Sequence, residues 1–346
     1  MCNIAGYIGE RRAAPILIEM LRAQEGLNAG FYTGISTLHE GKIHYRKLVG
    51  NLDDLLARTD AADLPGNIGI IHSRTPGASE NEGDEYAHPF VTERGSEVVA
   101  SMVLNGTIGY FKPRKPEYTA MAERLLQQGA VMHTHCNGKT MMTLSDGTGV
   151  HASDVFCQLA DVYVQKGLTT AQALAQTFLD MPKEAVVLLL SLTKQDAISY
   201  ARMNFPMHVS FCPHGAYLAT TPQVFPADGR PYTLLPLFSS GYVYRDHFES
   251  IPFPEVPARV APLSPAYWSR AFAVICDKLT EGEQTVETLA KAIRPLLEGY
   301  DCGQVGATIY QTLDVLQREG RLLQRTEYVS GQFEGLRAPL TYLSIQ

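Results

Sequence analysis

The chain opens with an apolar run that predicts a β-strand at its N-terminus, and this strand constrains the fold more than any other feature. Residues 4–8 are apolar, are closed by Gly9 and follow Cys2 and Asn3 directly. Short apolar runs bounded by glycine are typical of buried strands. A strand paired inside a sheet fixes its first residues, whereas most chain termini fray. We therefore expect Cys2 to be held rigidly at the end of a sheet strand.

Cys2 carries two reactive groups once the initiator methionine is removed, which the small cysteine side chain permits. Its thiol is a nucleophile, and a free α-amine, with a usual pKa of about 7.7–8.0, is a base near neutral pH. Pairing a nucleophilic side chain with the terminal amine is a known means of activation. A cysteine at position 2 can also be a buried structural residue, so this feature alone defines no activity.

Composition and charge narrow the class of protein. The 346 residues, 45% of them apolar, suffice for one large core and a smaller second one. The net charge of −7 gives no general attraction for nucleic acid or an anionic membrane. The sequence has no apolar run of about 18 residues, and Arg11-Arg12 after a short strand does not fit a signal peptide. Since the six cysteines (positions 2, 136, 157, 212, 276 and 302) show no paired spacing, we expect a reduced, cytoplasmic protein.

Hydrophobic periodicity predicts an α+β domain over residues 1–250. Helices are predicted near 13–25, 117–128, 153–166 and 169–180. Strands are predicted near 4–9, 33–38, 42–48, 68–73, 97–104, 185–192, 197–202, 207–211 and 216–221. Strands at both ends with helices between them suit two sheets packed face to face and covered by helices on both outer sides.

A proline-rich stretch separates this domain from a smaller one. Five prolines fall within 14 residues and predict a semi-stiff linker over 251–264: Pro252, Pro254, Pro257, Pro262 and Pro265. Helices near 265–281, 285–298 and 303–319 then precede strands near 321–329 and 339–345. This order resembles a winged-helix domain over 265–346.

The charge of the C-terminal domain argues against DNA binding. From Arg259 to the end there are nine Lys and Arg against ten Asp and Glu, a net charge of −1. The third helix carries only Arg318 as a basic residue. Because a nucleic-acid surface should be clearly basic, we expect packing, docking of a partner or homodimerisation instead.

Three further segments complete a pattern with the N-terminal Met1–Gly9. They are Gly69-Ile70-Ile71-His72-Ser73-Arg74, Ala87-His88-Pro89 and Leu104-Asn105-Gly106-Thr107-Ile108. Together these segments resemble the class II glutamine amidotransferases of the N-terminal nucleophile hydrolase superfamily, with the nearest likeness to the glutaminase domain of glucosamine-6-phosphate synthase. The resemblance covers roughly residues 2–240. It implies a four-layer αββα sandwich and a reaction that needs no cofactor.

The resemblance also implies a role for each site residue. Cys2 would attack the glutamine side-chain amide and form a γ-glutamyl thioester. The side-chain amide of Asn105 and the backbone N–H of Gly106 match the oxyanion hole, which needs neutral donors aimed at developing negative charge. Arg74 matches the arginine that binds the substrate carboxylate, a task suited to a planar bidentate donor. Asp154, at the start of a predicted helix, is the candidate for the substrate ammonium, although a first-turn acid also stabilises a helix dipole.

The chain departs from the family at the lip of the pocket. The family arginine is usually followed by a tryptophan and a threonine–histidine pair, whereas Arg74 is followed by Thr75 and residues 76–79, Pro-Gly-Ala-Ser. Thr75 cannot cover a substrate as an indole does. Residues 25–30 replace an arginine-glycine-tyrosine-aspartate stretch, and the segment 112–150 is longer than in the family.

Three functions follow from these observations. The first is hydrolysis of glutamine to glutamate and ammonia, with the ammonia acceptor on a separate subunit or absent, because too few residues remain for sugar-isomerase domains. The second is a glutamine sensor of weak activity that signals through its C-terminal domain. The third is an N-terminal cysteine hydrolase of another amide.

Other signals carry less weight. His133-Thr134-His135-Cys136 contains metal-ligand types, but no other cluster completes a site, so we expect a loop and no bound metal. Gly138-Lys139-Thr140 lacks the upstream glycine of a phosphate-binding loop. His72 and His88 are expected to be structural.

Overall fold

The computed structural model describes residues 2–76, 83–134, 142–229, 231–255, 264–297 and 302–346. The helices are α1 (Ala13–Arg22), α2 (Leu52–Arg58), α3 (Lys115–Gln127), α4 (Ala152–Gln165), α5 (Thr170–Asp180), α6 (Pro265–Glu281), α7 (Val286–Ile293) and α8 (Cys302–Arg318). The strands are β1 (Asn3–Gly9), β2 (Tyr32–His39), β3 (Lys42–Val49), β4 (Ile68–Arg74), β5 (Phe90–Arg94), β6 (Glu97–Thr107), β7 (Met142–Thr143), β8 (Gly149–Val150), β9 (Glu184–Ser191), β10 (Lys194–Arg202), β11 (His208–Cys212), β12 (Gly215–Ala219), β13 (Tyr232–Leu234), β14 (Ser239–Val243), β15 (Phe248–Pro252), β16 (Leu322–Ser330) and β17 (Arg337–Ile345).

Two antiparallel sheets form the centre of the molecule. The first has seven strands in the order β13-β11-β12-β1-β4-β2-β3, and the second has six in the order β15-β14-β10-β9-β6-β5. Strand β1 lies inside the first sheet, where Ala5 pairs with both Ala219 of β12 and Ile71 of β4. The N-terminus of the described chain is therefore held on both sides by backbone pairing, as the sequence predicts.

The alternation of side chains along the strands builds four layers. Ile4 of β1 and Leu188 of β9 point between the two sheets and share one buried core. Tyr7 of β1 points the other way and packs with Leu17 of α1. On the far side of the second sheet, Val187 packs with helices α4 and α5. Both faces of the central strands are thus buried, which is why they read as continuous apolar runs.

Most predicted elements agree with the structure, and the differences have local causes. The helix predicted over 285–298 ends at Ile293 and gives way to a 3-10 turn, Arg294–Leu296. Pro295 has no N–H and cannot continue the α-helical hydrogen bonding. Helix α2 was not predicted, although a reciprocal capping pair of Asn51 and Asp54 marks its start. Strands β5, β7, β8, β13, β14 and β15 were not predicted either.

The C-terminal part contains the three helices and two-stranded sheet that the sequence predicts. Helices α6, α7 and α8 and strand β17 share one buried core. The winged-helix description of these elements stays a prediction. Strand β15 extends to Pro252 and completes the edge of the second sheet, so the first two residues of the predicted linker pair with β14.

The C-terminal part packs directly on the N-terminal sheets. Leu27, from the loop after α1, is buried in the C-terminal core. The Tyr310 hydroxyl of α8 donates to the Leu27 carbonyl at 3.4 Å, and the Thr341 N–H of β17 donates to the Gly26 carbonyl at 2.9 Å. None of the helices within the described ranges combines the length and apolar character that crossing a membrane requires.

A close approach of α8 to the backbone of the N-terminal part tests the importance of this packing. A Cβ atom on Gly303 of α8 would lie 2.6 Å from the backbone carbonyl of Asn204. We expect Gly303→Leu to lower the free energy of unfolding by about 1–3 kcal/mol through overpacking, although leucine is the better helix former. Chemical denaturation measures this change. Gln317→Leu, on an exposed position of the same helix, is the control, and an equal effect of both substitutions would contradict the described docking.

Candidate active site

The site lies where the start of β1 meets the end of β6, between the two sheets. A cavity of about 270 Å³ is lined by Cys2, Asn28, Thr75, Asn105 and Gly106 from the N-terminal part. The C-terminal part adds residues of α7 and α8 to the same cavity. The structure therefore brings together four of the six predicted site residues.

Cys2 is held by contacts with both sheets. Its thiol is partly exposed, and Sγ lies 3.9 Å from Thr75 Oγ1. Its carbonyl accepts a 2.7 Å hydrogen bond from the Asn105 side-chain amide of the second sheet. The next residue, Asn3, pairs with Ser73 of β4. The thiol thus sits at a fixed position on the cavity wall.

Asn105 and Gly106 are adjacent residues of β6, and their N–H groups are of the kind that donates hydrogen bonds to an anion. Asn105 is almost fully buried and its amide points towards Cys2. A Cβ on Gly106 would lie 2.3 Å from the Glu184 carbonyl oxygen and 2.4 Å from Ala185 Cβ. Only glycine therefore fits beside β9 at this point without displacing backbone. The close approach places a glycine backbone on the cavity wall.

Arg74 lies near Cys2 but is engaged within the protein. Its Nη1 donates to the Tyr86 carbonyl at 3.0 Å, and its guanidinium carbon lies 4.8 Å from the centre of the Tyr32 ring. Burial lowers the pKa of Arg74, while its interaction with Cys2 raises it. Arg74 is not among the described residues that line the cavity. Binding of a substrate carboxylate by Arg74 stays a prediction.

The structure does not bring Asp154 to this cavity. Its carboxylate is fully buried, and Oδ2 accepts hydrogen bonds from the His133 N–H at 2.6 Å, the Thr134 N–H at 2.9 Å and the Thr134 hydroxyl at 3.0 Å. Oδ1 accepts from Gln158 at 3.3 Å. In this structure Asp154 holds the segment before residue 135 against α4. Recognition of a substrate ammonium by Asp154 stays a prediction of the resemblance.

Several residues that line the cavity were not predicted from the sequence. Asn28 lines the cavity with a φ of 87°, a backbone conformation that asparagine tolerates better than most residues. Glu287 and Arg294 line it from the C-terminal part. An asparagine between Gly26 and Gly30 was a local signal for the turn at Asn28. No local signal marks Glu287 or Arg294, because only tertiary packing brings them to Cys2.

Buried histidines beside the site are neutral. His72 and His88 stack with ring centres 4.0 Å apart, and burial lowers the pKa of His72 to about 3. His72 Nε2 lies 3.2 Å from the Leu104 carbonyl, to which its N–H donates. This contact joins the two sheets one residue before Asn105.

One group of side chains could offer metal ligands. Atoms of Cys212, His214 and Asp228 lie within 4.8 Å of one another. Both His214 ring nitrogens already have partners, Tyr7 at Nδ1 and Asp228 at Nε2. The group is therefore complete as a hydrogen-bonded network at the tip of the β11–β12 hairpin. Of the predicted loop 133–136, residues 135 and 136 lie outside the described ranges, as do residues 77–79 and 138–140.

Comparisons with known proteins agree with the predicted resemblance. No family model matches the chain. A stretch of 138 residues is 38% identical to the isomerizing glutamine–fructose-6-phosphate aminotransferase of Pyrococcus horikoshii, covering 39% of this chain and 20% of that protein. The protein of that name from Caldanaerobacter subterraneus is 36% identical over 117 residues, 33% of this chain and 18% of the relative. The chain thus matches about a fifth of the length of these curated relatives.

Solved structures show the same fold. The glutamine phosphoribosylpyrophosphate amidotransferase from B. subtilis superposes with a TM-score of 0.59 over 94% of this chain and 66% of that chain, at 14% identity. An allosteric regulatory enzyme of purine biosynthesis gives the same TM-score over 80% of this chain and 58% of its own, at 13% identity. The resemblance to class II glutamine amidotransferases is confirmed, and the layered fold is similar to that of these two solved structures.

Glu25 is a buried acid whose raised pKa makes the free energy of unfolding depend on pH. Glu25 Oε1 accepts hydrogen bonds from Ser73, Thr33 and the Leu52 N–H. Burial nevertheless raises its pKa from 4.5 to about 7. The folded state therefore binds this proton more tightly than the unfolded chain. The resulting stability is present below pH 4.5 and is lost as the pH rises through 7.

We expect Glu25→Gln to flatten this part of the stability curve. In the wild type, deprotonation of Glu25 should lower the free energy of unfolding by about 3 kcal/mol between pH 4.5 and 7.5. A pKa shift of one unit corresponds to about 1.4 kcal/mol. Denaturation at a series of pH values measures the slope. Glu19→Gln, an exposed position of α1, is the control and should keep the wild-type slope. Equal slopes for wild type and Glu25→Gln would refute this assignment.

Proposed function

We propose that the protein hydrolyses the side-chain amide of glutamine to glutamate and ammonia, with Cys2 as nucleophile after removal of Met1. The observation that carries the proposal is the shared cavity of Cys2, Asn105 and Gly106. A rigid thiol, an amide donor and a glycine backbone there meet the needs of acyl transfer. The glutamine amidotransferase relatives support glutamine as the substrate.

The proposed reaction has two stages. The Cys2 sulfur attacks the amide carbon, its proton passes to the α-amine, and the C–N bond breaks as ammonia leaves with that proton. Water then adds to the thioester, the C–S bond breaks, and glutamate leaves while the thiol is restored. The Asn105 amide carries two N–H donors. One holds the Cys2 carbonyl, and the other would stabilise the oxyanion of each tetrahedral intermediate.

Replacing the nucleophile tests the first stage. We expect Cys2→Ala to abolish ammonia release from glutamine, because no other side chain would form the thioester. A coupled ammonia assay measures the loss. Cys212→Ala, which removes another partly exposed thiol, should keep wild-type activity. Unchanged turnover in Cys2→Ala would exclude the mechanism.

Removing the amide donor tests the oxyanion assignment. We expect Asn105→Ala to lower kcat by about 10²–10³, as for the loss of one oxyanion-hole donor. Steady-state kinetics with glutamine measures this effect. Asn67→Ala is the matched control, because the Asn67 amide donates at 2.6 Å to the Gly9 carbonyl at the other end of β1. Similar kcat values for the two variants would rule out the role of Asn105.

A second candidate is a glutamine sensor with little turnover. The contribution of α7 and α8 to the cavity favours it, because a bound ligand would contact the C-terminal part directly. Calorimetry separates the candidates: tight binding with negligible ammonia release by the wild type favours the sensor.

A changed pocket lip at Thr75 would also allow a hydrolase of another amide. The ammonia assay with other amides detects such an activity.

A further inference from the structure

We propose that two copies of the protein associate through the open edge of β16, with the two β16 strands antiparallel and a two-fold axis at Thr326. The two-stranded sheet of each C-terminal part then becomes one half of a four-stranded sheet. This interaction surface is separate from the cavity of Cys2, which no residue of β16 lines.

The sheet of β16 and β17 has one covered edge and one open edge. On the covered edge, Leu343 of β17 exchanges backbone hydrogen bonds with Gln284 at 2.8 and 2.7 Å. On the other edge, β16 pairs with no further strand in the described ranges. Every residue from 323 to 328 is exposed, including Leu323 at 47% and Tyr328 at 40%. An exposed edge of this length is a template for pairing with another strand.

The register of the sheet shows which backbone groups of β16 point to the open side. In an antiparallel pair, residues that bond the partner strand alternate with residues whose backbone groups point away from it. Thr341 donates to the Gly26 carbonyl on the covered side, so its partner Thr326 directs its own N–H and C=O to the open side. Gln324, opposite Leu343, does the same. Neither backbone has a hydrogen-bond partner there among the described residues.

The sequence of β16 is self-complementary about its midpoint. The strand spans Leu322–Ser330, so Thr326 is the fifth of its nine residues. Because the Thr326 backbone groups point outward, Thr326 can exchange two hydrogen bonds with Thr326 of a second copy. The same register places Arg325 opposite Glu327 of the second copy, once on each side of the axis. All nine residues of each strand are then paired.

Arg325 and Glu327 supply the charge complementarity. Their backbone groups bond β17, so across the new interface they form a non-hydrogen-bonded pair, in which opposite side chains lie close together. Within one chain, Arg325 donates to Glu327 at 2.6 Å and to Glu283 at 2.8 and 2.7 Å. These bonds use three of the five N–H donors of arginine. The other two are left for Glu327 of the second copy, which completes a ring of alternating charges about the axis.

The arrangement of charges favours a second copy over an unrelated strand. Charged side chains on an edge strand usually oppose pairing, but here opposite signs stand at equal distances from the midpoint. A shift of the axis to Gln324 would place Leu323 opposite Arg325. A shift by two residues the other way would place Val329 opposite Glu327. Only the axis at the midpoint matches charge with charge and Leu323 with Val329.

Charge reversal tests this interface in the full-length protein. Sedimentation velocity over a range of concentrations measures the dissociation constant of the dimer. We expect the wild type to dimerise. Arg325→Glu and Glu327→Arg should each raise the dissociation constant about tenfold or more, because each substitution sets two pairs of like charges opposite one another.

An equimolar mixture of the two single variants is the most specific sample. Each variant then meets opposite charges on the other, so the mixture should form a heterodimer with about the wild-type affinity. The double variant, in which the two charges are exchanged, should dimerise by itself for the same reason. Arg245→Glu is the control, because it reverses an exposed arginine that pairs with Glu10, and it should dimerise like the wild type.

Three results would overturn the proposal. A wild type that sediments as a monomer at every concentration would exclude association through this edge. Single variants that dimerise like the wild type would place the contact on another surface. Single variants that stay monomeric when mixed, together with a monomeric double variant, would exclude the register centred on Thr326. Ammonia release should be the same in all these variants, because β16 does not line the cavity.

Discussion

The hydrogen bond from the Asn105 amide to the Cys2 carbonyl joins the two sheets at the point where the site is built. Cys2 precedes the first strand of the seven-stranded sheet, while Asn105 lies on β6 of the six-stranded sheet. The His72 contact with the Leu104 carbonyl crosses the same gap one residue earlier. The apolar core between the sheets fixes their separation. The distance from thiol to amide therefore depends on the packing of the whole sandwich.

The second constraint comes from the C-terminal part, which closes the cavity that the sheets leave open. Leu27 belongs to the C-terminal core although it lies in the loop after α1. Tyr310 reaches the carbonyl of the same residue. Because α7 and α8 both line the cavity, this part contributes to the site itself. The proline-rich stretch predicts a semi-stiff linker between two domains, and residues on both sides of that stretch line one cavity.

Much of the layered fold could be predicted because its signals are local. Strands such as β9 are buried on both faces and therefore read as unbroken apolar runs. The family resemblance also implied that Cys2, Thr75, Asn105 and Gly106 belong to one pocket, and all four line the cavity. Glu287 and Arg294 could not be predicted, because they reach the cavity only through the docking of α7. The position of Asp154 at a helix start does not determine which donors its carboxylate contacts. In this structure the donors are groups of the protein itself.

The central claim is that Cys2, freed of Met1, forms a thioester with glutamine. Acid quenching of the protein during turnover, followed by intact-mass and peptide mass spectrometry, tests this claim most directly. We expect a chain that starts at Cys2 and carries one added glutamyl group on its N-terminal peptide, which is lost on mild base treatment. A retained Met1 with no adduct during measurable ammonia release, or an adduct on another residue, would contradict it.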